Sequence, residues 1–339
     1  MSIKRLLHIK DGEMGKFVFG LVLAVTLMSC GQDVDLFIPN SNQAVGGDIS
    51  RLTSKLKQDF AGDIQYQISC PCFGNQAFEI DKDLVLVIPP AFVDIQKYPC
   101  PNSGMYDLHV TVCDTRGEIL IAGIPTVSEH SLLASRIEFN IQIKAEDQEV
   151  RLAHGKQIRA LVNDPDPIDR MELFYGDGDT WIQADGNPDT WDNVSNNEWW
   201  IQQDSSGGGP ITGFGYECFS DSTDWINVDV FFNIPEPQRT PVCVQLPKEF
   251  TNTNTAVFMV FNDYNSILQM QGDSAQQQFC ESYGSTPIGF HVTFVVIAEL
   301  GEGNYYFAAK EEQITPNLTE TITPLKTPYE EILTYLKQL

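Results

Sequence analysis

The sequence predicts an all-β protein: two β-sandwich-like domains and a short C-terminal α-helix, carried behind a lipoprotein-type signal peptide. Three observations predict it. Short runs rich in Val, Ile, Thr, Phe and Tyr alternate with polar residues at period two and are separated by turn formers. Hydrophobic residues make up 42% and aromatic residues 11% of the 339-residue chain, which is enough for packed cores and too much for a disordered one. One segment, 328–339 (PYEEILTYLKQL), reads clearly as helical. Pro328 suits its first turn, Glu330 and Glu331 its positive end, and Ile332, Leu333, Leu336 and Leu339 share a face.

Residues 17–28 (FVFGLVLAVTLM) are uncharged and follow Lys16. The run is too short to span a bilayer, which needs about 20 apolar residues, and has the length of a signal-peptide core. Leu27-Met28-Ser29-Cys30 ends it with a small residue before a cysteine. This matches a lipobox, in which the Cys30 thiol is acylated with palmitate-type chains and the residue becomes the new N-terminus. Asp11 and Glu13 are out of place in a leader, so Met14 is the expected start. The expected organisation is a signal peptide at 1–29, a lipidated N-terminus and linker at 30–48, a first sandwich at 49–162, a loop-rich Trp/Asp segment at 163–222, a second sandwich at 223–315, and a linker and helix at 316–339.

The chain carries 21 basic and 46 acidic residues, a net charge of −25. Removing 1–29 takes away four basic residues (Lys4, Arg5, Lys10, Lys16) and Asp11 and Glu13, leaving 17 basic, 44 acidic and −27. That excludes nucleic acid, whose phosphates require a basic face. It equally excludes electrostatic binding to anionic lipid, so acyl chains at Cys30 must anchor the protein. No run of 18 apolar residues follows Cys30, so no transmembrane helix is expected.

Within the first sandwich, 52–60 (LTSKLKQDF) fits a short helix or an irregular strand. Strands are expected at 83–89 and 106–112. The turn Asp114-Thr115-Arg116-Gly117 then leads into a returning strand at 118–124. In 136–143 (RIEFNIQI), Ile137, Phe139, Ile141 and Ile143 share one face. Strands at 149–152 and 157–162 follow. The second sandwich takes strands at 227–233, 241–246, 255–261, 290–299 and 304–309.

An exported protein meets an oxidising compartment. Beyond Cys30 the cysteines are Cys70, Cys72, Cys100, Cys113, Cys218, Cys243 and Cys280, an odd number. All seven are disulfide candidates, and at least one stays unpaired within the chain. Cys70 and Cys72 are expected to pair with Cys100 and Cys113 in some order. A four-thiolate zinc site is the alternative, though one Cys-x-Cys and two scattered cysteines fit it poorly.

Residues 119–185 and the later stretch STDWINVDVFF resemble Bacteroidota-type surface lipoproteins. The shared pattern is Gly123-Ile124-Pro125-Thr126, Leu133 to Phe139, Val150 to Lys156, and the block from Met171 through Leu-Phe-Tyr-Gly-Asp to Trp181. In the later stretch Val228 and Val230 depart from that family's Cys and Arg. The first domain of that family is similar to ZU5, a β-sandwich. The resemblance implies that fold and an outer-membrane, surface-exposed location, with a periplasm-facing one as the alternative; it lends no activity. Asp33 and Asp35 after the cysteine resemble the surface-export signal of the same bacteria.

No catalytic residues are expected. The mature chain has His109, His130, His154 and His291, and no hydrolase, zinc-protease or phosphate-loop motif. Asp177, Asp179, Asp185 and Asp189 lie among glycines and could supply the hard oxygens calcium needs. Most such runs are turn chemistry. All five tryptophans lie between 181 and 225. Trp191, Trp199 and Trp200, beside Asp and Asn, are candidates for stacking on sugars; core filling is the competing role. The functional expectation is a non-enzymatic, lipid-anchored envelope protein with a structural or interaction role, bound to the membrane through its lipid and to no nucleic acid. Its alternative is a glycan-binding surface lipoprotein using 177–204, with calcium assistance and no other cofactor.

Overall fold

The computed structural model describes residues 47–128, 131–178, 180–184, 194–201, 210–232, 234–273, 277–282, 284, 286–301 and 303–339. Strands dominate, and they form three sheets. The all-β expectation holds, with sandwich-like packing around more than one core.

The first sheet runs, neighbour to neighbour, Gln65–Pro71, Met105–Cys113, Ser131–Ala145, Trp225–Phe231, Glu172–Asp177, Thr180–Gln183, with every pair antiparallel. The second runs Val194–Ile201, Ile211–Ser220, Ile158–Asn163, Leu84–Ile88, Gln76–Glu79. These two sheets enclose one core. Ile137, Phe139, Ile141 and Ile143 project into it from the long strand, as their alternation predicts, and meet Leu84, Leu86, Ile88, Ala160 and Val162. Burial of each such large apolar side chain contributes about 1.5–3 kcal/mol.

The third sheet runs Leu318–Thr321, Val242–Gln245, Gln278–Cys280, Ile267–Asp273, Thr255–Phe261, His291–Glu299, Tyr305–Gln313, Leu325–Lys326. Its order folds back on itself, because Lys310 near one end pairs with Glu320 on the opposite edge strand. Val257, Met259, Phe261, Phe294 and Val296 fill the inside of that curl. The other face, with Ala256, Phe258, Val260, Val295 and Ile297, is covered by helices.

Those helices are α1 (Ile49–Ile64), α2 (Arg116–Ala122) and α3 (Tyr329–Lys337). Leu52, Leu56 and Phe60 of α1 and Ile332 and Leu336 of α3 supply the buried stripes. The ambiguous segment 52–60 therefore belongs to a helix begun by the Asp48 cap, whose carboxylate accepts from Ser50 N at 3.0 Å. The C-terminal helix is where the sequence places it.

Two expectations are corrected. The strand expected at 118–124 is α2. Its turn-like prelude is a capping box: Thr115 Oγ1 accepts from Glu118 N while Glu118 accepts from Thr115 N, and Gly123 ends the helix in the left-handed conformation. The boundary at 222/223 does not separate the sheets. Trp225–Phe231 pairs with Ser131–Ala145 and Glu172–Asp177 inside the first sheet, and 163–222 supplies four strands to the first two sheets.

The outer face of the first sheet meets the third sheet through specific bonds. Thr126 N donates to Ile267 O at 3.0 Å, Ser135 N to Asn265 O at 3.0 Å, and Asn265 Nδ2 to Asp114 O at 2.9 Å. The Arg116 guanidinium donates to Phe261 O, Asn262 O and Leu339 O at 3.0, 2.8 and 3.0 Å. Among the described residues, no helix is long and apolar enough to cross a membrane.

Candidate functional site

The tryptophan-bearing hairpin is formed by Val194–Ile201 and Ile211–Ser220, paired without a register shift from Val194↔Cys218 to Ile201↔Ile211. Adjacent residues of a strand point to opposite faces, and the two tryptophans separate accordingly. Trp199 is buried against Val85, Val87, Leu161 and Ile211 on the outer face of the second sheet. Its ring lies across Gly213, where a Cβ would come within 2.5 Å of it, so only glycine fits below. Trp199 is therefore a packing residue, although its Nε1 has no hydrogen-bond partner. Trp200 is 62% exposed.

Phe214, on the partner strand, is 40% exposed. Trp200 lies opposite Thr212 and Glu198 opposite Phe214, so Asn196, Glu198, Trp200, Thr212 and Phe214 share one face. The next residue on that face, Tyr216, is buried and accepts from Ile168 N at 2.6 Å. Ile168 is itself 49% exposed, which extends the apolar surface beyond the hairpin. Glu198 shares that face, opposite Phe214. The face is thus an aromatic centre with one carboxylate beside it, held on paired strands.

Among the other candidates, Cys30, Trp191, Asp179, Asp185 and Asp189 lie outside the described residues. Asp177 is exposed at the end of its strand, next to the turn to Thr180–Gln183. Among the described residues, no group of three or more His, Cys, Asp or Glu side chains is placed to hold a metal ion.

The cysteine expectation is half corrected. Cys72 bridges to Cys100, and Cys243 to Cys280 across two adjacent strands. Cys70 and Cys113 do not pair; they and Cys218 are buried thiols. With Cys72 and Cys100 joined, the four-thiolate zinc alternative falls. The geometry explains the choice: Cys70 packs into the core between the first two sheets, whereas Cys113 sits under the helices. Burial pushes the thiols of Cys70 and Cys218 up to about 12, so neither is a nucleophile at neutral pH.

Sequence reasoning missed two polar constellations. The first is a buried acid row on the outer face of the first sheet. Cys113, Glu138 and Asn227 lie side by side on three strands. Ser135 Oγ donates to Asn227 Oδ1 at 2.6 Å, and Asn227 Nδ2 donates to Asp229 Oδ2 at 2.8 Å. Both oxygens of Glu138 are buried without a partner. Burial first, and then the neighbouring Asp229 charge, hold the Glu138 carboxyl far above its ordinary range; burial does the same to Asp229. Both side chains are fully enclosed. A general acid must reach its substrate, so this row is not a catalytic pair.

The second is a cleft of about 370 Å³ lined by Arg116, Asn262, Thr293, Glu311, Tyr335 and Gln338. Burial and the Glu311 charge push the Tyr335 hydroxyl up, and Arg116 pulls it partly back. Arg116 is occupied by its three carbonyl acceptors, which makes it a clamp between α2, the third sheet and the end of the chain. Nearby, burial and a hydrogen bond donated to the Asp114 carboxylate push Glu118 up to about 7. Its carboxylate is already committed to the α2 capping box. No sequence signal marks either constellation, because each gathers residues far apart in the chain.

No family model matches the chain, and no curated protein does either. The lipoprotein and ZU5 resemblance therefore rests on the quoted residues alone.

Proposed function

We propose that this chain is a non-enzymatic, lipid-anchored envelope protein with an interaction role at the outer membrane, and that the hairpin Val194–Ile201/Ile211–Ser220 carries its recognition face. The observation behind this reading is the divergence of two adjacent tryptophans: Trp199 is buried, while Trp200 is 62% exposed beside Phe214. Large exposed apolar side chains gathered on one face are characteristic of binding surfaces.

The proposed anchor is compatible with that face being presented. The chain enters α1 beside Glu299 and Asn254 of the third sheet, against which Gly47 is packed. The hairpin belongs to the second sheet, on the far side of the first. The sixteen residues between Cys30 and Gly47 can span at most roughly 55 Å when extended. A Cys30→Ser variant is expected to leave the membrane fraction; unchanged fractionation would sink the anchor.

A second reading, glycan binding by the same face, is favoured by one observation: Trp200 is flanked by Glu198 and Thr212, which offer hydrogen bonds beside an exposed ring. Calcium assistance through Asp177 and its neighbours belongs to this reading. A glycan array with Trp200→Ala as control tests it, together with a calcium-dependent shift in melting temperature. No glycan signal lost in the variant, and no shift, would remove it.

A further inference from the structure

We infer that the outer edge of the strand Val194–Ile201 is a strand-addition site, which takes an extended, cationic segment of a different protein as a sixth strand of the second sheet. This rests on the interaction reading above and specifies its partner. The argument starts from how the sheets end. A sheet edge exposes unpaired N–H and C=O groups, and proteins blunt such edges with short strands, prolines, bulges or lysines. Among the described residues, five of the six sheet ends follow that practice, and the part of Tyr305–Gln313 left uncovered beyond Leu325–Lys326 carries Lys310. Thr180–Gln183, Gln76–Glu79 and Leu318–Thr321 have four residues each, and Leu325–Lys326 has two. Gln65–Pro71 ends in proline and follows α1 directly.

Val194–Ile201 is the exception. It has eight residues, all paired on the inner side without a bulge. Its sequence, VSNNEWWI, has no Pro, Lys or Arg. No described strand pairs with its outer side. Eight residues present an edge of about 26 Å, long enough for a peptide bound through alternating main-chain hydrogen bonds.

Charge selects the occupant. The only charged residue of the strand is Glu198, one position from its centre. Antiparallel pairing with a second copy would place two Glu198 carboxylates side by side, on chains of net charge −25 each. A different chain with Lys or Arg opposite Glu198 meets the opposite charge. A cationic or apolar side chain over the exposed Trp200 ring adds cation–π or packing contact.

The test uses a labelled peptide, acetyl-Lys-Val-Lys-Ile-Lys-Val-Lys-amide, against the same peptide N-methylated at alternate residues. The second keeps charge and apolarity but cannot complete the ladder. At about 0.15 M salt, where exposed charges are screened beyond ~8 Å, the parent is expected to bind at least about tenfold tighter than the methylated form. Glu198→Lys and, as a milder variant, Glu198→Gln are expected to weaken the parent selectively. Both alter an exposed side chain, and their melting temperatures confirm folding. Equal binding of the two peptides, binding unaffected by Glu198→Lys, or no binding to either overturns the proposal. Dimerisation lost on Asn196→Pro overturns it in favour of a second copy. A photo-crosslinker at Thr212 in cells separates the two readings. A captured partner without peptide discrimination leaves the interaction role standing and strand addition refuted.

Discussion

The central strands of the first and third sheets are buried on both faces, yet they are built differently. Thr255–Phe261 and His291–Glu299 present almost only apolar side chains to the curl on one face and the helices on the other. Ser131–Ala145 and Trp225–Phe231 bury an equally apolar face, but the opposite one carries Ser135, Glu138, Asn227 and Asp229. The third sheet is a packing unit. The first is a packing unit on one side and a polar junction on the other. Substitutions in the two should therefore differ in size and in their dependence on pH.

The largest effect is expected in the third sheet. Phe294 is fully buried between strands inside the curl. Phe294→Ala should cost about 3–5 kcal/mol through lost transfer energy and the cavity left behind. Urea unfolding should show that loss unchanged between about pH 5 and about pH 8. A loss that varied strongly with pH would mean that the third sheet also depends on titrating groups, and the contrast would collapse.

How far this contrast was legible in the sequence differs by side. The apolar strands at 255–261 and 290–299 announce themselves, because runs of Val, Phe and Ile admit little else. The alternation of Ile137, Phe139, Ile141 and Ile143 is equally plain, and it marks the first core. Glu138 stands between two of those residues and reads as a solvent-facing strand position. What encloses it is the third sheet, about 120 residues further on, and no local pattern encodes that contact. α2 differs from its sequence expectation for another reason: Asp-Thr-Arg-Gly serves a turn and a helix cap alike, and Glu118 three residues after Thr115 decides for the cap. For Trp199 and Trp200 the sequence established that they oppose each other. Gly213 and the apolar face of Val85, Val87 and Leu161 determine which one is buried.

An intermediate effect is expected at the polar junction, and its sign follows from linkage. In the unfolded chain Glu138 ionises near about 4.3. Burial and the Asp229 charge keep it protonated far above that in the folded protein. Above the unfolded value the native state holds a proton that the unfolded state has released, so stability falls as pH rises toward the folded value. The slope is at most about 1.4 kcal/mol per pH unit for each such group. Glu138→Gln removes that titration at nearly constant volume. Relative to wild type, the variant should gain stability steadily from about pH 5 to about pH 8, by at most about 4 kcal/mol in all. A constant difference across that range would show that Glu138 does not govern the junction.

The smallest effect is expected at Trp200, whose neighbour Trp199 belongs with the large ones. Trp199→Ala empties the small outer core of Val85, Val87, Leu161 and Ile211. It should cost about 3–5 kcal/mol if that cluster is as well packed as a main core, and less in proportion as the site collapses onto Gly213. Trp200→Ala removes a side chain that is 62% exposed, and its cost should stay within about 0.5 kcal/mol. Melting curves of the two variants therefore divide one dipeptide into a packing residue and a surface residue. A Trp200→Ala loss as large as that of Trp199→Ala would place both rings in the fold and leave the hairpin without an exposed aromatic to recognise anything. A small loss leaves Trp200 as a large apolar side chain held in water on a rigid strand, with no part in stability to account for it there.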